Sequence, residues 1–342
     1  VGNQIVEELF EHNYNKIMKL RPLILTLLIL ILILILILIL ILVLTHKPVA
    51  TPNTSHTVPI FAHRGGRDHR VENTIEAFAH ALSNGATFLE TDVQITADGV
   101  PVLSHSRIIP WYMARNKWGK YLSRDEEPNI FYTSLADLKQ LDLSQMSEHA
   151  PPPEWERHGK SQQAVKGTKL ATLEELFQLV KACGNDQVQL AIEAKSLVYP
   201  NVVNPTPEEW VYAIYNLAAK YEMVDRIFLQ CFDWRVLVAA KQIDPNIRTV
   251  ALTANQPEWN YEGDEGDYQN ARWMGKDGDP VEIAASIGTN VYAPYEKDVD
   301  KDMIDRVHSY GMLIVPYTVN DKQRIQTLIQ LGVDGILSDR IL

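Results

Sequence analysis

Apolar positions along the chain follow two patterns. Between residues 23 and 44 they are almost continuous, "LILTLLILILILILILILILVL", with Thr26 as the only polar residue. Leu/Ile alternation fits a strand template, but a run well beyond about 18 apolar residues is the length signature of a membrane-spanning helix. From residue 59 onward the pattern changes to short apolar runs separated by stretches of helical periodicity. Strands are predicted at 60–63, 88–93, 189–195, 227–232, 249–253, 290–294, 313–318 and 335–338. Helices are predicted at 74–83, 173–182, 207–221, 234–242, 281–285, 301–309 and 322–330. Strands alternating with helices predict a parallel α/β architecture. Eight strands in about 280 residues favour a closed (β/α)8 TIM barrel over an open sheet. No helix is predicted after the last strand, so a final barrel helix is expected to be missing or replaced.

The organisation follows from these patterns. Residues 1–22 form an N-terminal segment, 23–44 the transmembrane anchor or signal segment, 45–58 a Pro/Thr/Ser-rich linker, and 59–342 the barrel. Lys16, Lys19 and Arg21 precede the apolar run and Lys47 follows it, which places the N-terminus in the cytoplasm and the barrel outside it, periplasmic or extracellular. A cleaved signal peptide is the rival, with a small-residue site at Ala50, and would give a secreted protein. The chain starts with Val1, and Met18 with Lys19 and Arg21 offers a natural start, so residues 1–17 are a candidate non-native extension. Two long irregular segments, 107–169 and 255–280, follow predicted strands. They are expected at the C-terminal face, where barrel enzymes build their sites.

Bulk composition narrows the choice of partner. A formal net charge of -11 argues against nucleic acid. Two cysteines, Cys183 and Cys231, exclude a disulfide scaffold and a structural zinc site, and both are expected to be ordinary buried residues.

The chemistry is concentrated at strand ends. In "FLETDVQITADGVPVLSHS", Glu90 and Asp92 stand at i and i+2 among apolar neighbours, so both carboxylates face one side of a strand. Such a pair is unfavourable unless a positive charge sits on it. The "ADG" turn folds 100–105 back antiparallel, with paired positions summing to about 197, give or take a residue, which sets His105 opposite Asp92. "QLAIEAKS" repeats the device with Glu193 and Lys195, and "IFAHRGG" ends the first strand with His63 and Arg64. In a barrel these strand ends converge. Three carboxylates, Glu90, Asp92 and Glu193, suit one hard divalent cation, Ca2+ or Mg2+. Arg64 and Lys195 suit a phosphate. Two histidines, His63 and His105, suit general acid–base catalysis of an in-line displacement.

The ordered motifs resemble the glycerophosphodiester phosphodiesterases. They are His63-Arg64-Gly65, Glu72-Asn73-Thr74, Glu90-x-Asp92-Val93, Thr96-x-Asp98-Gly99, His105, Glu193-x-Lys195, Tyr317-Thr318-Val319-Asn320 and "GVDGILSD" at 332–339. The resemblance implies a metal-dependent barrel with Glu90, Asp92 and Glu193 on the metal and His63 with His105 as the acid–base pair. It implies that Arg64 and Lys195 contact the phosphate, that Glu72 supports the His-Arg pair, and that Tyr317 lines the alcohol side. The implied reaction releases sn-glycerol 3-phosphate and an alcohol from a small glycerophosphodiester. This chain departs from the family pattern at Ser106, where an acid is usual, at Val71 for proline, at Cys231, and at Tyr317 for tryptophan. Two other readings compete. One is a barrel phospholipase acting on intact lipid, similar to sphingomyelinase D or the phosphoinositide phospholipases; the other is a non-enzymatic metal-binding barrel.

Overall fold

The computed structural model describes residues 58–196, 203–255 and 278–341. Residues 58–342 form one compact unit, separate from 1–57. The apolar run 23–44, the linker up to residue 57 and most of the 255–280 segment lie outside the described residues. Among the described residues, no helix is long and apolar enough to cross a membrane.

The strands are β1 (Ile60–Ala62), β2 (Phe88–Ile95), β3 (Pro101–Leu103), β4 (Gln189–Ala194), β5 (Ile227–Cys231), β6 (Thr249–Thr253), β7 (Val291–Pro294), β8 (Leu313–Ile314) and β9 (Ile336–Ser338). The sheet runs β8-β7-β6-β5-β4-β2-β1-β9, with each of these pairings parallel and β3 off the path. Residues beyond β8 complete the ring. Leu337 N donates to Pro316 O (3.0 Å), and Val319 N donates to Leu337 O (2.8 Å). β8 is shorter than the predicted 313–318 because Pro316 has no N–H for the ladder. The result is the expected TIM barrel.

Helices α1 (Ile75–Ser83), α2 (Leu173–Ala182), α3 (Pro207–Lys220), α4 (Trp234–Ile243), α5 (Pro280–Ile287), α6 (Lys301–Ser309) and α7 (Lys322–Leu331) connect the strands. Local chemistry starts them: Thr172 with Glu175 and Thr206 with Glu209 form capping boxes on α2 and α3, each cap contributing about 1 kcal/mol. α2 buries Leu173, Leu176, Phe177 and Val180, the i, i+3, i+4, i+7 stripe of a helix packed on a sheet.

Strand alternation sorts the side chains into two sets. Leu89, Val93, Leu190, Ile192 and Leu229 face outward into the layer shared with the helices. Phe61, Ala191, Val250, Leu252, Val291, Val315 and Leu337 fill the barrel interior, with Phe88 and Phe228 packed on them. Two residues further along several of these strands, the inward positions become His63, Glu90, Glu193, Gln230, Tyr317 and Asp339, which line a cavity. The barrel is therefore closed by apolar side chains below and opens on polar ones at the C-terminal ends of the strands.

Two expectations need correction. The β2–β3 register is Val93↔Leu103, Gln94↔Val102 and Ile95↔Pro101, within one residue of the expected sum, but it changes the residue opposite Asp92. Thr96 N donates to Val100 O, so the loop is three residues centred on Asp98, with Gly99 at φ 78°. Ser104, whose amide donates to Asp92 O, stands opposite Asp92, and His105 lies one residue beyond. Cys231 is buried as expected, but Cys183 is exposed, and both are free thiols. The 107–169 insertion is irregular as expected, with only short helical turns, and it is packed: Ile109, Ala114, Leu122, Ile130, Leu138 and Leu143 form a cluster with Val102 and Leu170.

Candidate active site

β1 ends at Ala62, and the chain turns sharply through His63–Gly65. Arg64 adopts a left-handed backbone (φ 51°, ψ 33°), which directs its amide to Glu90 Oε2 at 3.0 Å. Its guanidinium spans two acids, with Nη1 2.9 Å from Glu72 Oε1 and Nε 3.1 Å from Asp92 Oδ2. Burial disfavours that charge, but Glu72 and Asp92 outweigh it and keep Arg64 ionised. Glu72 is also paired with Arg67 at 3.1 Å. Burial works upward on its carboxyl, yet the two arginines hold it down at about 2.

His63 is buried beside the last strand. Its Nδ1 lies 2.6 Å from Asp339 Oδ1, and its Nε2 is 3.8 Å from Glu90 Oε2. Burial first, then Arg64, lowers the imidazole to about 4 despite Asp339. Asp339 is itself held: Asn320 Nδ2 donates to its Oδ2 (2.6 Å), and Asn320 Oδ1 accepts from its amide (2.9 Å). Burial acts upward on Asp339, but Arg67 and His63 keep its carboxyl below the usual range.

Glu90, Asp92 and Glu193 are all buried, and one oxygen from each lies within 4.8 Å of the others. Ligand distances of about 2.0–2.6 Å to a hard divalent cation fit that spacing. Burial, with Asp92 and Glu193, raises Glu90 well above the carboxylate range, and burial pushes Glu193 up to about 7 against the pull of Lys195. Asp92 moves the other way: burial acts upward, but Arg64 dominates and holds it ionised. Asp92 Oδ1 is buried with no hydrogen-bond partner among the described residues, which is what a carboxylate oxygen awaiting a cation looks like. Lys195 Nζ lies 3.0 Å from Glu193 Oε1 and 3.9 Å from Asp92 Oδ1. Asn73 aims Asp92, donating from Nδ2 to Oδ2 at 2.8 Å while its Oδ1 accepts from Thr91. Gln230 does the same for Glu90, Nε2 to Oε1 at 2.7 Å.

His105 leaves the hairpin arm into the same cavity, close enough for its charge to lower Glu72 and Asp92. Ser106 lines that cavity, and its carbonyl accepts from Ser104 Oγ. Tyr317 follows β8 and lines the cavity, its hydroxyl donating to Thr253 O (2.9 Å) and its ring edge-on to Phe232. The cavity measures about 970 Å³, and all of His63, Arg64, Glu72, Glu90, His105, Glu193, Lys195 and Tyr317 line it. Asp92 lies beneath, fully buried. Every side chain predicted to act is thus at or under one cavity.

Five others escape sequence reasoning: Arg67, Asn73, Gln230, Asn320 and Asp339. Three of them sit inside the quoted motifs, and Asp339 ends the last one beside the first strand, a signal that pairing β1 with β9 makes readable. His158 is also brought to the cavity by the insertion. It forms a second acid-rich group with Asp68 and Asp339. Both its ring nitrogens are engaged there, by Asp68 and by the Arg67 guanidinium, so this group is a hydrogen-bonded network rather than a cation site.

Comparison with known proteins agrees with this geometry. Residues 63–342 match the profile of the glycerophosphoryl diester phosphodiesterase family. A glycerophosphodiester phosphodiesterase of Bacillus altitudinis is 26% identical over 285 residues, covering 82% of this chain and 94% of the relative. A solved structure from Silicibacter pomeroyi, provisionally described as a glycerophosphoryl diester phosphodiesterase, superposes with a TM-score of 0.72 at 27% identity, covering 84% of this chain and 91% of that one. A phosphodiesterase from Oleispira antarctica, solved in complex with the product sn-glycerol-3-phosphate, shares the fold with a TM-score of 0.59 at 22% identity, over 82% of this chain and 92% of that one.

Proposed function

The chain belongs to the glycerophosphoryl diester phosphodiesterase family, and from that premise we propose how its own residues hydrolyse a glycerophosphodiester to sn-glycerol 3-phosphate and an alcohol. The observation that carries the reading is the convergence of His63, His105, Arg64 and Lys195 on one cavity above three buried carboxylates. Arg64, steadied by Glu72, and Lys195 hold the phosphate anion. Glu90, Asp92 and Glu193 hold a divalent cation, Ca2+ or Mg2+, which when bound supplies positive charge to the phosphoryl oxygens. His63 and His105 exchange the two protons. One takes a proton from the attacking O–H, that of water or of the glycerol 2-hydroxyl whose cyclic phosphate water then opens, as its oxygen bonds to phosphorus, and the other gives a proton to the alcohol oxygen as its bond to phosphorus breaks. Asp339 fixes the His63 ring, leaving Nε2 toward the cavity. Tyr317 lines the side from which the alcohol leaves.

The test is release of glycerol 3-phosphate from glycerophosphocholine with Ca2+ or Mg2+. Release that stops with chelator and resumes with excess ion is expected; no release with either ion from folded protein overturns the reading. A second reading, a substrate that keeps an acyl chain, is favoured by Ile109, Met113, Leu143 and Met146 of the insertion, which line the same cavity. Lysophospholipid turnover exceeding that of glycerophosphocholine would select it. The apolar run 23–44 supports a single-pass anchor with residues 59–342 outside the cytoplasm. Flotation with membranes after alkaline washing tests the anchor, and release by washing refutes it.

A further inference from the structure

The insertion reaches the loop after β1 through side chains at the cavity. His158 is buried, with Nδ1 2.9 Å from Asp68 Oδ1 and Nε2 against the Arg67 guanidinium. A ring that donates from Nδ1 to a carboxylate presents its Nε2 lone pair to the arginine. Nearby, Gln162 Nε2 donates to Arg67 O (2.8 Å), and Gln163 N donates to His69 O (3.0 Å). Arg67 then reaches two acids at once: Nη1 donates to Glu72 Oε2 at 3.1 Å, and Nε lies 3.0 Å from Asp339 Oδ1. Glu72 holds Arg64, and Asp339 holds His63. Among the described residues, Arg67 is the cation that touches both acids.

We propose that Arg67, fixed by His158 of the insertion, is a positioning residue: it sets the two carboxylates that aim His63 and Arg64. The proposal rests on the reading of His63 as an acid–base group. The planar fork matters, because a guanidinium offers donors in fixed, divergent directions and an ammonium does not. Asp339 Oδ1 is shared between His63 and Arg67, so a shift of Arg67 moves the carboxylate on which the imidazole turns. Small misplacements of a reacting group cost rate rather than substrate affinity.

The test compares His158→Phe, His158→Gln and Arg67→Lys in the full chain, with His63→Ala as control, reading kcat, KM and Tm on glycerophosphocholine with added Mg2+ or Ca2+. Phenylalanine fills the space without hydrogen bonds. Glutamine offers an amide NH2 to Asp68 and an oxygen to Arg67. His158→Phe and Arg67→Lys should lower kcat by about tenfold with KM changed less than about twofold, and His158→Gln should recover to within about threefold of the parent. Wild-type kcat in the folded fraction, or a rise in KM alone, means the contact only packs the insertion and overturns the proposal. His158→Gln as slow as His158→Phe overturns it too. Should His158→Phe not fold, Arg67→Lys carries the same comparison. If His63→Ala keeps full rate, the reading of the site itself fails. An inert His63→Ala beside unaffected His158 and Arg67 variants removes this inference alone.

Discussion

Arg64 shows how much one position can be asked to do. Its left-handed backbone is worth about 1–3 kcal/mol of strain in a non-glycine residue, and it is held there because its amide bonds Glu90 while its side chain spans Glu72 and Asp92. A single residue thus links the phosphate site to the carboxylates. At this scale the clearest expectation concerns the imidazoles. His63→Ala and His105→Ala should each lower kcat at least about a hundredfold, the scale of lost acid–base catalysis, measured as glycerol 3-phosphate release. Full rates in both would mean the proton transfers lie elsewhere. The residues that carry the chemistry are legible in the sequence because charged pairs at i and i+2, such as Glu90 with Asp92 and Glu193 with Lys195, stand out against apolar neighbours. Their supports are not. Asn73, Gln230 and Asn320 are single polar residues whose carboxylate partners lie 19 to 140 positions away in sequence, a separation that no local pattern encodes.

Elements place these residues. The turn after β1 packs its backbone against α1: a Cβ on Gly65 would lie 2.8 Å from Ala77 Cβ, at a φ of 82°. Gly65→Ala should therefore destabilise the protein by more than about 1 kcal/mol, from strain and overlap together, visible as a lower Tm, and activity should fall with it because the same turn carries His63 and Arg64. An unchanged Tm would mean the turn yields freely. Strand and helix positions are legible from periodicity to within a few residues, since each amphipathic face needs a partner layer. The hairpin register is less so. Asp-Gly suggests a two-residue turn, whereas the Thr96 side chain accepts from Val100 N and donates to Asp98 and so stabilises a three-residue loop. The insertion looks irregular in sequence because its cluster is built from residues scattered between 102 and 170 with no single period.

At the scale of the molecule, the barrel holds three carboxylates together in a buried place, and the consequence is a linkage between metal, protons and stability. In the metal-free fold Glu90 and Glu193 bind protons more tightly than in the unfolded chain, Glu193 with a value of about 7. The folded form then holds more protons than the unfolded one, so their contribution to stability falls as pH rises through that value. His63, held at about 4, acts in the opposite sense only between about 4 and 6.5. Metal binding displaces the carboxylate protons. The Tm increment from saturating Mg2+ or Ca2+ should thus be larger at pH 8 than at pH 6, and an increment independent of pH would place the ion elsewhere. The closed ring has a further consequence, in time rather than in space. The acid that orients His63 follows it by 276 residues, on the strand that completes the barrel. At about 5–20 residues per second, synthesis separates the two by on the order of tens of seconds. Once residue 193 has been made, the emerging chain carries both histidines and all three carboxylates, yet until residue 339 follows the first imidazole has nothing to turn on. A ribosome-bound chain stalled before β9 should hydrolyse nothing, so the enzyme is silent until that strand has been made and paired.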